Sequence, residues 1–324
     1  MAKMEVYLGI DVGSVTTKFA VLDEGDRLVH ALYLRTQGNP IAAVQEGLKQ
    51  VMQELPASTA IRGVGATGSA RYLAGVIVGA DLVKNEITSQ AVAALQCVPE
   101  VQTVIEIGGQ DSKIITIRGG IVTDFGMNTV CAAGTGSFLD HQAARLGMSI
   151  EDFSTKALQS QKPVRIAGRC TVFAESDMIH KQQMGHRTED IVYGLCQALV
   201  RNYLNNVALG KEIAPPIVFQ GGVAFNAGIV KAFEEALEAK VIVPPHHEVM
   251  GAIGVALLAH EEMTARGDGT KFKGFEVSKA NLRTSSFECK TCPNMCEIAQ
   301  VFLDGKVLAR WGGRCDVWER TPAT

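Results

Sequence analysis

Two cysteines, Cys131 and Cys170, stand in surroundings that suit a thiolate better than a packed side chain. Cys131 lies in NTVCAAGTGSF, directly before two alanines and a Gly-Thr-Gly turn that opens a predicted helix. Cys170 lies in GRCTVFAESDM, which repeats the pattern. Small residues leave a sulfur uncovered, glycines let the backbone approach closely, and a helix N-terminus favours negative charge. Both residues are therefore candidates for thiolate chemistry.

The elements that must position these cysteines belong to a duplicated pattern. Residues 5–35 read as three β-strands joined by turns that carry Gly and Asp, and the same pattern returns from residue 103. A helical segment follows each copy, PIAAVQEGLKQVMQEL in the first and the helix after Cys131 in the second. Aligning the two Gly-rich hairpin tips, DVGSVTTK and IGGQDSK, places Lys18 near Lys113. This predicts an internal duplication at the scale of a domain.

The two hairpin tips suit phosphate binding. A tip rich in Gly, Asp, Ser and Thr presents backbone N–H groups and hydroxyls to phosphate oxygens. Two tips that face one another would clamp a triphosphate, with Asp11 and Asp111 holding a hydrated Mg²⁺.

Two further segments have small residues at close spacing. VFQGGVAFNAGIVKAFEEAL (218–237) predicts a strand, a Gly-Gly turn and an amphipathic helix, and Gly221 and Gly222 would let a purine approach the backbone. On its own, this motif is more often an ordinary β–α connection. MGAIGVALLAH (250–260) predicts a helix suited to close interdomain packing, or else a plain core helix.

The last part of the chain predicts a metal-binding tail. Cys289, Cys292 and Cys296 are spaced Cys-x2-Cys-x3-Cys, and Cys315 follows a strong Asp304-Gly305 hairpin signal. Folding that hairpin would bring Cys315 back to the other three, so that four thiolates converge. Zn²⁺ and an iron–sulfur cluster both suit such a site, and the layout of the cysteines around a hairpin favours Zn²⁺ slightly.

The remaining cysteines and histidines have ordinary interpretations. Cys97 and Cys196 lie in apolar surroundings and are predicted to be core residues. His246 and His247 are predicted to lie in a solvated loop after a strand.

Composition limits the class of protein. The chain has 324 residues, 47% hydrophobic and 20% charged, with a net charge of −3. That charge gives no reason to expect nucleic acid or a membrane as partner, and no apolar run reaches the roughly 18 residues of a spanning helix. The N-terminus lacks a signal-peptide pattern, so a cytoplasmic location is predicted.

Taken in order, these motifs resemble a known family. DVGSVTTK, IGGQDSK and FQGGVAFN resemble the two phosphate motifs and the adenosine motif of the actin, sugar-kinase and chaperone ATPase superfamily. With NTVCAAGTGSF and RCTVFAESDM added, residues 5–262 resemble the ATP-dependent activators of 2-hydroxyacyl-CoA dehydratases and the ATPase subunits of benzoyl-CoA reductases. Activators of double-cubane cluster proteins belong to the same group.

The resemblance implies an α/β fold of duplicated, actin-like (ribonuclease H-like) ATPase domains with a nucleotide cleft between them, plus the Cys-rich hairpin tail. The expected divisions are a first domain at 1–95 completed by the helix at 250–262, a second domain at 96–249, a polar linker at 264–284 and the tail at 285–324.

Site residues follow from the same resemblance. Matching the motifs residue by residue implies ATP contacts and catalytic groups at Asp11, Gly13, Ser14, Thr16, Thr17, Lys18, Gly108, Gly109, Gln110, Asp111, Gly221, Gly222 and Asn226. GATGSAR (65–71) matches a Thr-Gly stretch that family members also carry after the helices of the first domain. Cys131 and Cys170 are implied to ligate a 4Fe-4S cluster. Since such a cluster usually takes four thiolates, a two-fold homodimer would share one between its subunits.

The implied function is ATP-driven electron transfer. A ferredoxin or flavodoxin would supply the electron, and the acceptor would be a hydroxyacyl-CoA dehydratase, a benzoyl-CoA-type reductase or a double-cubane protein. Two alternatives remain. A small-molecule kinase of the same superfamily would give the two cysteines no role, and a cluster-based redox sensor would need no nucleotide hydrolysis coupled to a partner.

Overall fold

The computed structural model describes residues 4–128, 132–315 and 317–318, and Cys131 lies outside them. The chain divides into two compact units. The first comprises residues up to Ser89 together with those from Gly251 onward, and the second runs from Gln90 to Met250. Within the described residues, no helix combines the length and the apolar character needed to cross a membrane.

The first unit is built on a five-stranded sheet with the order β3-β2-β1-β4-β5. Three consecutive strands form an antiparallel meander, and the other two extend the sheet in parallel. The strands are β1 Glu5–Val12, β2 Thr16–Asp23, β3 Leu28–Arg35, β4 Ala60–Thr67 and β5 Leu82–Val83. The helices are α1 Pro40–Glu54, α2 Arg71–Val78 and, across the unit boundary, α3 Glu86–Cys97.

The second unit repeats this architecture with the sheet order β10-β9-β6-β7-β8. The strands are β6 Thr103–Ile107, β7 Ser112–Arg118, β8 Ile121–Asn128, β9 Ile217–Gln220 and β10 Val241–Ile242. The helices are α4 Gly136–Arg145, α5 Ile150–Leu158, α6 Thr171–Gln183, α7 Thr188–Asn206 and α8 Ala227–Leu237, with short 3-10 turns at Ala132–Gly134 and Gly222–Phe225. In both units a meander is extended by two parallel strands, so the predicted duplication is confirmed.

Helix α9, Met250–Arg266, is a core element of the first unit. It approaches β1 and β4 closely because glycines face it: a Cβ on Gly9 or Gly65 would collide with the backbone oxygen of Ala252 or Val255. The small-residue helix therefore buries its residues against the sheet, where Ala252 and Val255 are fully buried.

The segment predicted as a polar linker packs onto the first unit. Phe272 and Phe275 stack edge to face at 5.3 Å and join the core of this unit. The Gln45 side-chain amide donates to the backbone oxygens of Val277 and Ala280, at 3.2 and 2.8 Å. These contacts order the segment that precedes the tail.

The tail forms a three-stranded antiparallel sheet, β11 Leu282–Glu288, β12 Glu297–Leu303 and β13 Lys306–Trp311. The predicted hairpin is confirmed, since β12 and β13 are joined at Asp304 and Gly305, which have positive φ values of 50° and 82°. Such values suit a tight turn that matches the strand twist.

Candidate nucleotide and thiolate sites

Backbone and threonine hydrogen bonds fix the turn of the first phosphate hairpin. Gly13 N donates to Thr16 O at 2.9 Å, which closes the turn between β1 and β2. The Thr36 hydroxyl donates to Gly13 O at 2.9 Å and lies 3.0 Å from the Thr17 hydroxyl. Ser14 lies exposed at the tip. These hydrogen bonds hold the base of the hairpin, while its tip stays exposed, as phosphate binding requires.

A cation and a carboxylate lie behind this tip. Asp11 and Lys18 face one another in the β1–β2 register, and Lys18 Nζ donates to Asp11 Oδ2 at 3.1 Å. Their side chains are 7% and 17% exposed. Two predicted catalytic residues are therefore brought together at the base of one hairpin.

The Thr-Gly stretch at the end of β4 lies against the same carboxylate. Thr67 is the parallel neighbour of Asp11, and Ala70 N donates to Val12 O at 3.0 Å. Gly68 has φ +96°, and a Cβ there would lie 2.6 Å from Asp11 Oδ1. Only glycine fits this position without strain. The GATGSAR stretch therefore packs against the base of the first hairpin, beside Asp11.

The second hairpin contains a more deeply buried charge cluster. Gly108 N donates to Asp111 O at 2.9 Å, the same turn closure as in the first hairpin. Lys113 Nζ donates to Glu106 Oε2 at 2.9 Å and to Asp111 Oδ2 at 2.7 Å. The Lys113 side chain is 2% exposed, whereas that of Asp111 is 38% exposed. Gln110 lies exposed at the tip.

The strand registers identify which residues correspond in the two hairpins. Asp11 pairs with Lys18 and Glu106 pairs with Lys113, each seven residues apart. Lys113 is therefore the counterpart of Lys18, as the alignment predicted. The counterpart of Asp11 is Glu106 and not Asp111. Sequence reasoning missed Glu106, although its seven-residue spacing from Lys113 was a usable signal.

Helix α4 begins directly on the second hairpin. Gly136 N donates to Gly108 O and Ser137 N donates to Gly109 O, both at 2.9 Å, and the Ser137 hydroxyl also donates to Gly109 O. The backbones approach closely, since a Cβ on Gly136 would lie only 3.1 Å from Gly108 O. The segment that follows Cys131 is thus hydrogen-bonded to the predicted phosphate loop.

The Gly-Gly turn after β9 packs against the second hairpin, as the Thr-Gly stretch after β4 packs against the first. Gly221 has φ +92°, and a Cβ there would lie 2.5 Å from Ile107 O and 3.0 Å from Glu106 Oε1. Gly222 opens the following 3-10 turn. Asn226 is buried and caps α8, where its Oδ1 accepts from Ile229 N at 3.2 Å. Its predicted nucleotide contact stays a prediction.

His247 is a structural part of this turn, so the solvated-loop interpretation was wrong for it. Its backbone oxygen accepts from Gly221 N at 2.8 Å, and its Nδ1 lies 3.0 Å from Gly221 O. The imidazole also packs against the Phe225 ring at 4.3 Å. His246 is exposed. Sequence alone carried no sign of this contact, which depends on the approach of two distant loops.

Cys170 is the N-cap residue of α6, and its side chain makes no capping hydrogen bond. A sulfur at this position lies beside the free N–H groups of the first turn of α6. Val172 and Phe173, in the first turn, are 67% and 65% exposed. Cys131, the predicted second ligand, lies outside the described residues.

The loop before Cys170 is firmly held. Asp177 Oδ2 accepts from Ala167 N at 2.8 Å, and Arg201 donates to Ile166 O at 2.6 Å. A Cβ on Gly168 would lie 2.8 Å from Ala198 O, so the loop runs directly along α7. The position of this thiol is therefore set by several independent contacts.

The four tail thiols are not grouped as a metal site. Across residues 4–128, 132–315 and 317–318, no three His, Cys, Asp or Glu side chains are arranged to hold a metal ion. Cys289 N donates to Cys296 O at 2.8 Å, but Cys292 and Cys315 are exposed. Hydrogen bonds with Thr291 and Trp318 lower the pKa of the Cys289 thiol. Metal binding by the tail stays a prediction.

The two remaining cysteines differ from one another. Cys196 is fully buried in the core of the second unit, as predicted, and burial raises the pKa of its thiol. Cys97 is exposed at the end of α3, so the prediction that it is a core residue was wrong. The apolar neighbours on the helix face the core, and Cys97 does not.

Comparisons with known proteins give these features a context. Residues 8–259 match the model of the BadF/BadG/BcrA/BcrD ATPase family. The (R)-2-hydroxyglutaryl-CoA dehydratase activating ATPase of Acidaminococcus fermentans is 36% identical over 269 residues, covering 80% of this chain and 99% of that protein. The activator of lactoyl-CoA dehydratase of Anaerotignum propionicum is 35% identical over 257 residues, covering 78% and 97%.

A solved structure is similar over the same region. The activator of the 2-hydroxyisocaproyl-CoA dehydratase from Clostridium difficile, with bound ADPNP, has a TM-score of 0.72 and 31% identity, covering 81% of this chain and 97% of that chain. The family match ends at residue 259, so the ordered segment 270–282 and the tail lie outside it.

Proposed function

Because this chain belongs to the BadF/BadG/BcrA/BcrD ATPase family, we propose that it is an ATP-hydrolysing activator that passes single electrons to a larger iron–sulfur enzyme. Relatives named as activators of hydroxyacyl-CoA dehydratases support the activator role. The relative with bound ADPNP supports ATP as the nucleotide. An acceptor of the 2-hydroxyacyl-CoA dehydratase type fits these relatives best.

The observation that carries the proposal is the start of α4. The first N–H groups of this helix are bonded to the carbonyls of Gly108 and Gly109, in the predicted phosphate hairpin. A change in that hairpin on binding or hydrolysing ATP therefore displaces the helix that follows Cys131. Two hydrogen bonds would thus connect the nucleotide state to the helix that follows Cys131, a connection that a small-molecule kinase would not need.

The hydrolytic chemistry rests on the charged groups of the hairpins. Lys18 and backbone N–H groups stabilise the phosphoryl charge, and carboxylates of the hairpins would hold a Mg²⁺ ion that would supply further charge neutralisation. Asp11 and Asp111 are the predicted ligands, and the register adds Glu106 as the equivalent of Asp11. Gln110, exposed at the second tip, positions the attacking water.

The thiolates fit a cluster shared between two subunits. A 4Fe-4S cluster needs four thiolates and carries one electron at a time, whereas Cys131 and Cys170 supply two per chain. The unused capping position of Cys170 leaves its sulfur available. Exposed Val172 and Phe173 supply apolar area beside it, as expected for a subunit contact. The proposal therefore includes a homodimer that receives electrons from ferredoxin or flavodoxin. It gives the tail no role in electron transfer.

The testing experiment is an iron and sulfide assay with EPR spectra on anaerobically purified and reconstituted protein. Wild type is expected to hold about one 4Fe-4S cluster per two chains. Cys170→Ala and Cys131→Ala should lose it. Cys97→Ala is the matched control, because Cys97 is exposed in the same unit but lies outside the proposed site, and it should keep the iron.

Two results would contradict the proposal. Wild-type protein without iron after reconstitution would return the chain to the kinase hypothesis. Equal iron loss in Cys97→Ala and Cys170→Ala would show that the cluster is bound elsewhere. ATP hydrolysis stimulated by a reduced partner separates the activator from a redox sensor.

A further inference from the structure

Asn202, on α7, contacts the segment before Cys170. Its side chain is 2% exposed, and Nδ2 donates to Gly168 O at 2.6 Å and, at 3.4 Å, to Arg169 O. These are the two peptide groups that immediately precede Cys170. A buried asparagine on the central helix thus holds the backbone that leads into the thiolate.

The other end of the same amide faces the segment after Cys131. A Cβ on Gly134 would lie 2.9 Å from Asn202 Oδ1, so the absence of a side chain there lets the backbone reach the amide. Among the described residues, Oδ1 is buried and has no hydrogen-bond partner. A buried acceptor without a partner costs free energy, and here that acceptor faces the Gly134 backbone.

This contact joins three elements of the proposed mechanism. Gly134 ends the 3-10 turn that runs into α4, and α4 is bonded to the second phosphate hairpin. Gly168 and Arg169 run into α6 through Cys170. Asn202 therefore lies against the segment that precedes Cys170 and against the segment that follows Cys131.

We propose that Asn202 is a positioning residue that holds the two cysteine-bearing segments in a fixed relation, so that a displacement of the second hairpin reaches both. The inference rests on the proposed function, because it assumes that both thiolates bind one cluster. It does not require Asn202 to fold the loop, since Asp177 and Arg201 also hold it.

The test measures the rate at which a colorimetric chelator removes iron from anaerobically reconstituted dimer, with ADP and with a non-hydrolysable ATP analogue. Loss of groups that orient metal ligands typically weakens a site about 10- to 100-fold. Asn202→Ala is expected to release iron faster by such a factor and to lose the difference between the two nucleotides.

Asn206→Ala is the matched control. Asn206 lies one turn further along α7, is exposed, and donates to the backbone oxygen of Asn202 at 2.9 Å. Its iron-release rate should stay within about twofold of wild type, well below the range for ligand-orienting groups. Circular dichroism checks that each variant is folded.

Two further variants protect the test against misfolding of Asn202→Ala. Asn202→Asp keeps the shape but replaces the donor to Gly168 O, and Gly134→Ala presses on Oδ1 from the opposite side. Both should reproduce fast release. Release rates equal to the control in both variants would overturn the inference. Wild type without iron would instead refute the proposed function itself.

Discussion

Lys113→Met is expected to lower the free energy of unfolding by about 3 to 5 kcal/mol, because it removes the cation from a buried carboxylate. Lys113 and Glu106 are 2% and 6% exposed and are joined at 2.9 Å. Methionine retains the length of the side chain, so lost packing contributes little. Urea unfolding followed by circular dichroism measures the loss.

The matched control for this experiment is Lys18→Met. Lys18 occupies the same position in the first hairpin, but its side chain is 17% exposed and its ion pair with Asp11 is longer, at 3.1 Å. Because the Lys18 cation is itself partly exposed and already solvated, its removal is expected to cost only about 1 kcal/mol. Equal losses in the two variants would refute the argument from burial.

Local pattern was sufficient for most strands and turns. Apolar alternation and Gly- or Asp-containing turns predicted the strand pattern after residue 103 and the hairpin at Asp304-Gly305, because strand and turn chemistry are encoded over a few residues. The duplication was predictable for the same reason, since both copies use the same local pattern.

Long-range contacts were not predictable from local pattern. The contact of His247 with Gly221 joins two loops that only the fold brings together. The exposure of Cys97 depends on which face of α3 is covered. The segment at 264–284 looked polar, yet two phenylalanines, Phe272 and Phe275, anchor it to the core. The prediction of a linker followed the polar composition of the segment and overlooked these two phenylalanines.

The choice between Glu106 and Asp111 illustrates the same limit within the site. Glycines in the sequence show where a hairpin turns. Which carboxylate lies opposite the lysine is known only from the pairing of the two strands. Asp111 was the visible carboxylate of the motif and lies at the rim, with a 38% exposed side chain. Glu106 lies on β6, opposite Lys113, where Asp11 lies in the first hairpin.

Glu106→Gln is therefore expected to slow ATP hydrolysis about 10²- to 10³-fold, whereas Asp111→Asn should slow it by about tenfold or less. The carboxylate of Glu106 is buried next to a fixed ammonium and a glycine turn, so its charge is preorganised and little screened. The partly exposed carboxylate of Asp111 is screened by water, and its loss leaves Lys113 paired with Glu106.

Single-turnover hydrolysis of ATP measures these rates, and binding of a fluorescent ADP analogue, with and without Mg²⁺, separates chemistry from affinity. Both substitutions exchange one carboxylate for an amide of the same shape, so each is the other's control. A metal-ligand role for Glu106 further predicts that the variant loses most of the Mg²⁺ dependence of nucleotide binding. If Asp111→Asn is the more damaged enzyme, the rim carboxylate carries the metal, and the equivalence of Glu106 with Asp11 is structural only.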